Sequence, residues 1–283
     1  MQTYYACSVW AVEPFVSVDW LQEHRDEVIL ADIRWYLDGS SGRAAYEAGH
    51  IPGAVFVDLE EVLSEPHEDD SHGRHPLPTP ERFAGGLASL GIGDDDVVIA
   101  YDDAGGVIAA RLVWMLRVIG QRAALLDGGL RAWPEDDLHR GSPRPRAPAT
   151  FTPTPWPQDR LALIEDVAGT ADILIDARDS ERFTGGPDPL DPRSGHIPGA
   201  RNVPTREHLD ELDQIASPEQ LRQTFAAAGI QAGTPVISYC GSGVTACHNL
   251  LALERAGLGL GRLYPGSWSE WSRDPSRPVE TKR

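Results

Sequence analysis

Lysine is nearly missing from this 283-residue chain: Lys282 is the only one, and arginine fills every other strongly basic position. A Walker-type phosphate loop closes on a lysine and imine chemistry needs a lysine amine, so both are excluded unless the C-terminal tail serves. Cysteine is equally scarce. Cys7, Cys240 and Cys247 form an odd set with no CxxC pair, which suggests neither a disulfide framework nor a zinc site, and no metal is expected. No apolar run approaches the ~20 residues that span a bilayer. No Lys or Arg precedes Arg25, so a secretory leader is not expected and a cytoplasmic location is the default. Positive charge is short as well: 25 Lys and Arg stand against 43 Asp and Glu, a net charge of −18. Neutralising phosphates needs the opposite balance, so no nucleic-acid or anionic-membrane partner is expected, and the chain is expected to be a monomer.

What is present is a repeat. "VILADIRW" (28–35) is matched by "DILIDARD" (172–179), both ending in Asp-x-Arg, and Gly-His-Ile-Pro-Gly-Ala occurs at 49–54 and again at 195–200. "GIGDDDVVIAYDDAGG" (91–106) parallels "GIQAGTPVISYCGSGV" (229–244), and "LLDGGLRAW" (125–133) parallels "LYPGSWSEW" (263–271). Four collinear matches at nearly constant spacing describe a duplicated domain. The boundaries read as 1–140 and 159–283, with the proline-rich stretch 141–158 as a stiff linker. Each copy alternates β-type runs with amphipathic segments such as "PERFAGGLASLGI" and "SPEQLRQTFAAAGI", which start at Pro-Glu and stop at Gly. The pattern predicts an α/β fold, each copy a mostly parallel sheet with helices on both faces. In such sheets sites form at the carboxyl ends of strands.

Cys240 falls at such an end, in "VISYCGSGVTACHNL" (236–250). A β-rich run precedes it, a helical pattern follows, and the glycine-rich loop between lets backbone N–H groups converge on one point. A cysteine at the positive end of a helix has its pKa lowered, and the same cradle suits the anionic sulfur of a persulfide. Cys240 is therefore read as an activated nucleophile rather than a packed thiol. Cys247 lies on the helix and reads as a packing residue, with a redox partnership to Cys240 as the alternative. Cys7 carries no functional signal. A phosphatase loop would need arginine six residues after its cysteine, where this chain has Ala246.

The two GHIPGA motifs, the Cys-Gly-Ser-Gly-Val-Thr-Ala loop and the closing "YPGSWSEWSRDPSRPV" (264–279) resemble the two-domain rhodanese sulfurtransferases over nearly the whole chain. The resemblance implies two tandem rhodanese-like domains, of which only the second is active. Asp102 stands where the first copy would need its cysteine, and a carboxylate cannot carry sulfane sulfur. It further implies a ping-pong cycle through a Cys240 persulfide, with cyanide, a thiol or reduced thioredoxin as acceptor and no cofactor. A non-enzymatic sulfur-carrier or sensor module is the alternative from another class. Thiosulfate-preferring members of the family resemble Cys-Arg-Lys-Gly-Val-Thr, and mercaptopyruvate-preferring ones Cys-Gly-Ser-Gly-Val-Thr. The loop Gly241, Ser242, Gly243, Val244, Thr245 matches the second pattern, which puts 3-mercaptopyruvate before thiosulfate as donor. By the same resemblance Ser242 relays a proton or merely shapes the loop, and Arg182 binds the donor's anionic group. A second arginine of the pattern is absent, and Arg193 is expected to stand in for it. His50 matches a histidine near the active serine, although a turn-fixing role explains His50 and His196 equally. Asp32 with Arg34, and Asp176 with Arg178, are expected to be buried strand-end ion pairs.

Overall fold

A computed structural model describes residues 12–66, 72–142 and 145–281. Cys7 and Lys282 lie outside the described residues. Nine strands are present among them, in two wholly parallel sheets. The first is built from β1 (Phe15–Val16), β2 (Val28–Asp32), β3 (Val55–Phe56), β4 (Val97–Tyr101) and β5 (Arg122–Leu126), in the order β1-β5-β4-β2-β3. The second holds β6 (Ile173–Asp176), β7 (Arg201–Asn202), β8 (Val236–Tyr239) and β9 (Arg262–Leu263), in the order β7-β6-β8-β9. The central strands are runs of Val, Ile, Leu and Ala, because a parallel sheet with helices on both faces exposes neither side to water.

Helix starts follow local chemistry. Thr79 and Ser217 accept from the N–H groups of Arg82 and Gln220, at 3.2 and 3.3 Å, and proline occupies the first turn of each helix, Pro80–Ser89 and Pro218–Ala227. The duplicated phrases fold into the same unit twice. Arg34 and Arg178 pair with Asp32 and Asp176 at 2.8 and 2.7 Å, fully buried, and each guanidinium also donates to the glycine carbonyl of its GHIPGA motif, Gly49 or Gly195. The Tyr101 and Tyr239 hydroxyls accept from the N–H of Ile51 and Ile197. His50 and His196 stack on Tyr46 and Phe183, and the Nδ1 of each lies within hydrogen-bond distance of that residue's carbonyl, 2.9 and 2.7 Å. Both histidines therefore fix a turn.

The two halves share a core. Helix Ala110–Val118 of the first half packs on helix Ala246–Arg255 of the second, and one apolar cluster runs from Val113 and Trp114 through to Leu250 and Leu251. The proline-rich connection is strapped to the first half: the Trp156 indole N–H donates to the Pro78 carbonyl at 2.8 Å, and Phe151 is buried against Phe83. No helix of the described residues is long and apolar enough to cross a membrane.

Besides His196, two further imidazoles are buried in the second half. His208 Nε2 lies 3.0 Å from Asn249 Oδ1, and its ring faces that of His248 at 6.2 Å. Burial pushes His208 down to about 4 and His248 to about 3. The folded pKa of His208 is thus below its unfolded value of ~6.5, so its contribution to stability is complete above that pH and is lost as pH falls toward 4. Urea unfolding across pH 7 to 4 is expected to lose about 3 kcal/mol on account of His208. His208→Gln, which keeps a donor for Asn249, is expected to flatten that slope by one proton; an unchanged slope would contradict the assignment.

Candidate active site

β8 delivers Cys240 to the carboxyl edge of the second sheet, and residues 241–245 turn the chain into helix Ala246–Arg255. The turn is over-determined. Gly243 has φ +74°, and a side chain there would press its Cβ to 2.5 Å from the Pro265 carbonyl oxygen, so only glycine fits. The closing segment clamps the loop from behind. Ser267, itself left-handed at φ 54°, accepts from the Cys240 N–H at 3.1 Å and donates to the Tyr264 carbonyl. The Trp268 and Ser269 N–H groups donate to the carbonyls of Cys240 and Gly241. A strained non-glycine residue held by this many bonds marks a loop whose shape matters.

The first half supplies a natural experiment. Asp102, the counterpart of Cys240, is completely buried, and its carboxylate accepts from the N–H groups of Ala104, Gly106, Ile108 and Ala109 at 2.7 to 2.9 Å. Burial pushes its carboxyl up against the four donors that hold the ionised form. This loop type thus cradles an anion at its first residue.

Both halves line the cleft in front of Cys240, which encloses about 770 Å³. Cys240, Gly241, Ser242, Val244, Thr245 and Arg182 border it. Gly243 backs the loop instead, against Pro265. Two expected residues are not brought in. The Arg193 guanidinium donates to the carbonyls of Ser272, Arg277, Trp271 and Asp274, at 2.5 to 2.9 Å, and so is consumed in fastening the closing segment. His50 is buried in the first half on Tyr46, away from the cleft lining, because its motif belongs to the repeated structural unit.

Residues of the first half that sequence reasoning missed stand where those two were expected. His75 is 3% exposed, and its Nδ1 lies 2.8 Å from the Ser242 hydroxyl oxygen. Its neighbour Arg74 donates through its N–H to Ser269 Oγ, and its guanidinium pairs with Asp191 at 3.1 Å. Arg182 forks onto Asp188 and also reaches Asp191. The Arg74 and Arg182 guanidiniums both lie 3.5 Å from where a Cβ on Gly241 would be, at ordinary van der Waals contact, so both cations stand over that glycine. The signal was in the sequence: "GRHPLP" (73–78) places Arg and His together outside the duplicated phrases, where no structural repeat explains them. Cys247 is fully buried, burial pushes its thiol up to about 12, and it supplies no thiolate near neutral pH. Among the described residues no cluster of His, Cys, Asp or Glu is arranged to hold a metal.

A rhodanese-like domain model matches the chain twice, over residues 17–136 and 159–274. A protein of Pseudomonas aeruginosa named probable 3-mercaptopyruvate sulfurtransferase is 44% identical over 269 residues, covering 90% of this chain and 93% of its own. One from Mycobacterium tuberculosis, named putative thiosulfate sulfurtransferase, is 41% identical over 260 residues, with coverage of 90% and 91%. The crystal structure of the Escherichia coli 3-mercaptopyruvate sulfotransferase SseA superposes with a TM-score of 0.79 at 36% identity, covering 92% of this chain and all of that one.

The anion cradle of the first half is testable by itself. Asp102→Ala leaves four N–H groups, two of them buried and two half-buried, without their acceptor, which is expected to lower unfolding stability by about 3 kcal/mol. Urea titration of the variant measures this, and a loss below ~1 kcal/mol would show that the cradle needs no anion.

Proposed function

The chain belongs to the rhodanese family, and we propose that it is a sulfurtransferase that carries sulfane sulfur on Cys240, with 3-mercaptopyruvate as its preferred donor. The thiolate of Cys240 attacks the donor sulfur; an S–S bond forms, the C–S bond breaks, and the carbon leaves as the enolate of pyruvate. The proton of the transferred S–H group then passes to that enolate, giving pyruvate and the persulfide anion. Cyanide or a thiolate attacks the outer sulfur in the second half-reaction, forming thiocyanate or a new persulfide and restoring the Cys240 thiolate. The loop that cradles a carboxylate at Asp102 supports anionic sulfur at the same point in the second copy. Arg74 and Arg182, above Gly241, would take the donor's carboxylate. A cytoplasmic monomer using a reduced thiol, thioredoxin included, as acceptor completes this reading.

The contact between Ser242 Oγ and His75 Nδ1 carries the choice of donor. A carbon leaving group must be protonated, so a hydroxyl–imidazole pair beside the cysteine has work to do with mercaptopyruvate. Sulfite, the leaving group from thiosulfate, is a stable anion and needs no such relay. Thiosulfate is the second reading, favoured by the two guanidiniums that could hold a dianion outside the neutral loop.

Initial rates with both donors, cyanide in excess, decide between them. We expect kcat/KM to favour 3-mercaptopyruvate by at least ~10-fold, and Cys240→Ser to lose multiple turnover with either donor. His75→Gln and Ser242→Ala are expected to lower kcat with mercaptopyruvate by roughly 100-fold while thiosulfate turnover falls far less. A preference for thiosulfate, unmoved by His75→Gln, would overturn the donor assignment. Full activity in Cys240→Ser would overturn the persulfide route, and a single turnover only would make the protein a carrier.

A further inference from the structure

Arg111 lies on helix Ala110–Val118 of the half that carries no sulfur, and it is wholly buried. Its guanidinium donates to three carbonyls: Gly243 of the Cys240 loop at 2.8 Å, His75 at 3.1 Å and Leu63 at 3.4 Å. Its Nε has no hydrogen-bond partner among the described residues, and no carboxylate forms an ion pair with it there. Carbonyls satisfy donors but leave a full positive charge in a dry interface, an arrangement proteins avoid unless an anion is near. Arginine keeps its proton in such a place where lysine would shed it. Burial draws this guanidinium down, and the groups that oppose the pull are two thiols, Cys247 and Cys240. Cys247, pushed up to about 12, stays neutral. Of the cations that line the cleft, Arg74, Arg178 and Arg182 already have Asp191, Asp176 and Asp188, and Arg206 is exposed to water.

We infer that Arg111 is the fixed countercharge of the sulfur anion at Cys240, and the positioning residue that ties the Cys240 loop to the His75 segment. The inference rests on the reading of Cys240 as the sulfur carrier. It gives the first domain an electrostatic role in chemistry performed by the second. The site alternates between thiolate and persulfide, both anionic, so one buried cation serves throughout the cycle and needs no rearrangement between half-reactions. By holding the carbonyls of Gly243 and His75 together, the same side chain sets the separation of Ser242 from the His75 ring.

Arg111→Gln keeps donors for the carbonyls and removes the charge. Its test is the pH profile of iodoacetamide alkylation at Cys240, followed on the isolated peptide by mass spectrometry so that Cys7 and Cys247 do not contribute. The profile is expected to move up by about one pH unit, slowing alkylation at neutral pH roughly tenfold, with the far-ultraviolet circular dichroism unchanged. A folded variant with the wild-type profile would overturn the assignment, even if its turnover or stability fell. Should Arg111→Gln fail to fold, the wild-type protein is alkylated at Cys240 with iodoacetate or with iodoacetamide, adducts of similar size that differ in charge. The carboxymethyl form is then expected to melt at the higher temperature, and an equal or lower melting point would overturn the assignment. Cys240→Ser separates the two levels. If it is inactive while Arg111→Gln keeps the wild-type profile, only the role of Arg111 falls; if it retains turnover, the sulfur-carrier reading falls with it.

Discussion

The helix-on-helix contact between Ala110–Val118 and Ala246–Arg255 is the constraint on which the rest of the structure depends. Each helix begins where its own sheet ends, directly after the loop that starts at Asp102 or at Cys240. Packing these two helices brings the two loops, and the carboxyl edges of the two sheets, to one interface. Everything that faces Cys240 from the other half follows from it. Arg111 passes beneath Gly243, His75 meets Ser242, and Arg74 reaches across to Asp191. Apolar burial across the interface drives this docking, and the polar contacts ride on it with a geometry that burial keeps dry.

Charge is handled almost entirely by arginine, and its planar fork suits the tasks it is set. Arg34 and Arg178 each hold a carboxylate and a glycine carbonyl at once, which a lysine ammonium could not do with the same rigidity. Arg193 fastens four carbonyls of the closing segment, the segment whose Ser267, Trp268 and Ser269 in turn grip the cysteine loop. The strained Ser267 and the left-handed Gly243 are tolerated because this scaffold over-determines them.

Periodicity and repetition carried a sequence reader far. The individual strands, the helix starts at Pro80 and Pro218, the strand-end pairs Asp32–Arg34 and Asp176–Arg178, and the position of Cys240 after a strand are local matters, set by neighbours in the chain. Arg193 misled because nearness in sequence to the pattern's missing arginine, and His50 because a motif position, was equated with a place in the cleft. Arg193 lies near the site in sequence, but its side chain turns to the closing segment, where four carbonyls accept from its guanidinium. His50 sits in a motif present in both halves, and that duplication signals a structural task. His75 and Arg74, more than 160 residues before Cys240, could be suspected from "GRHPLP" but not assigned to it.

The sequence by itself determined the duplicated α/β plan, the loss of the cysteine at Asp102, and a cysteine loop with the makings of an anion cradle. These follow from hydrophobic period, turn residues and identity, which act over a few neighbours. Only the tertiary structure decided which residues gather around the Cys240 loop: His75, Arg74 and Arg111 from the first half, with Asp188 and Asp191 of the second holding Arg182, which the family resemblance had already named. The physical reason is that side chains meet through the docking of two separately folded sheets, and neither spacing nor composition encodes that docking direction.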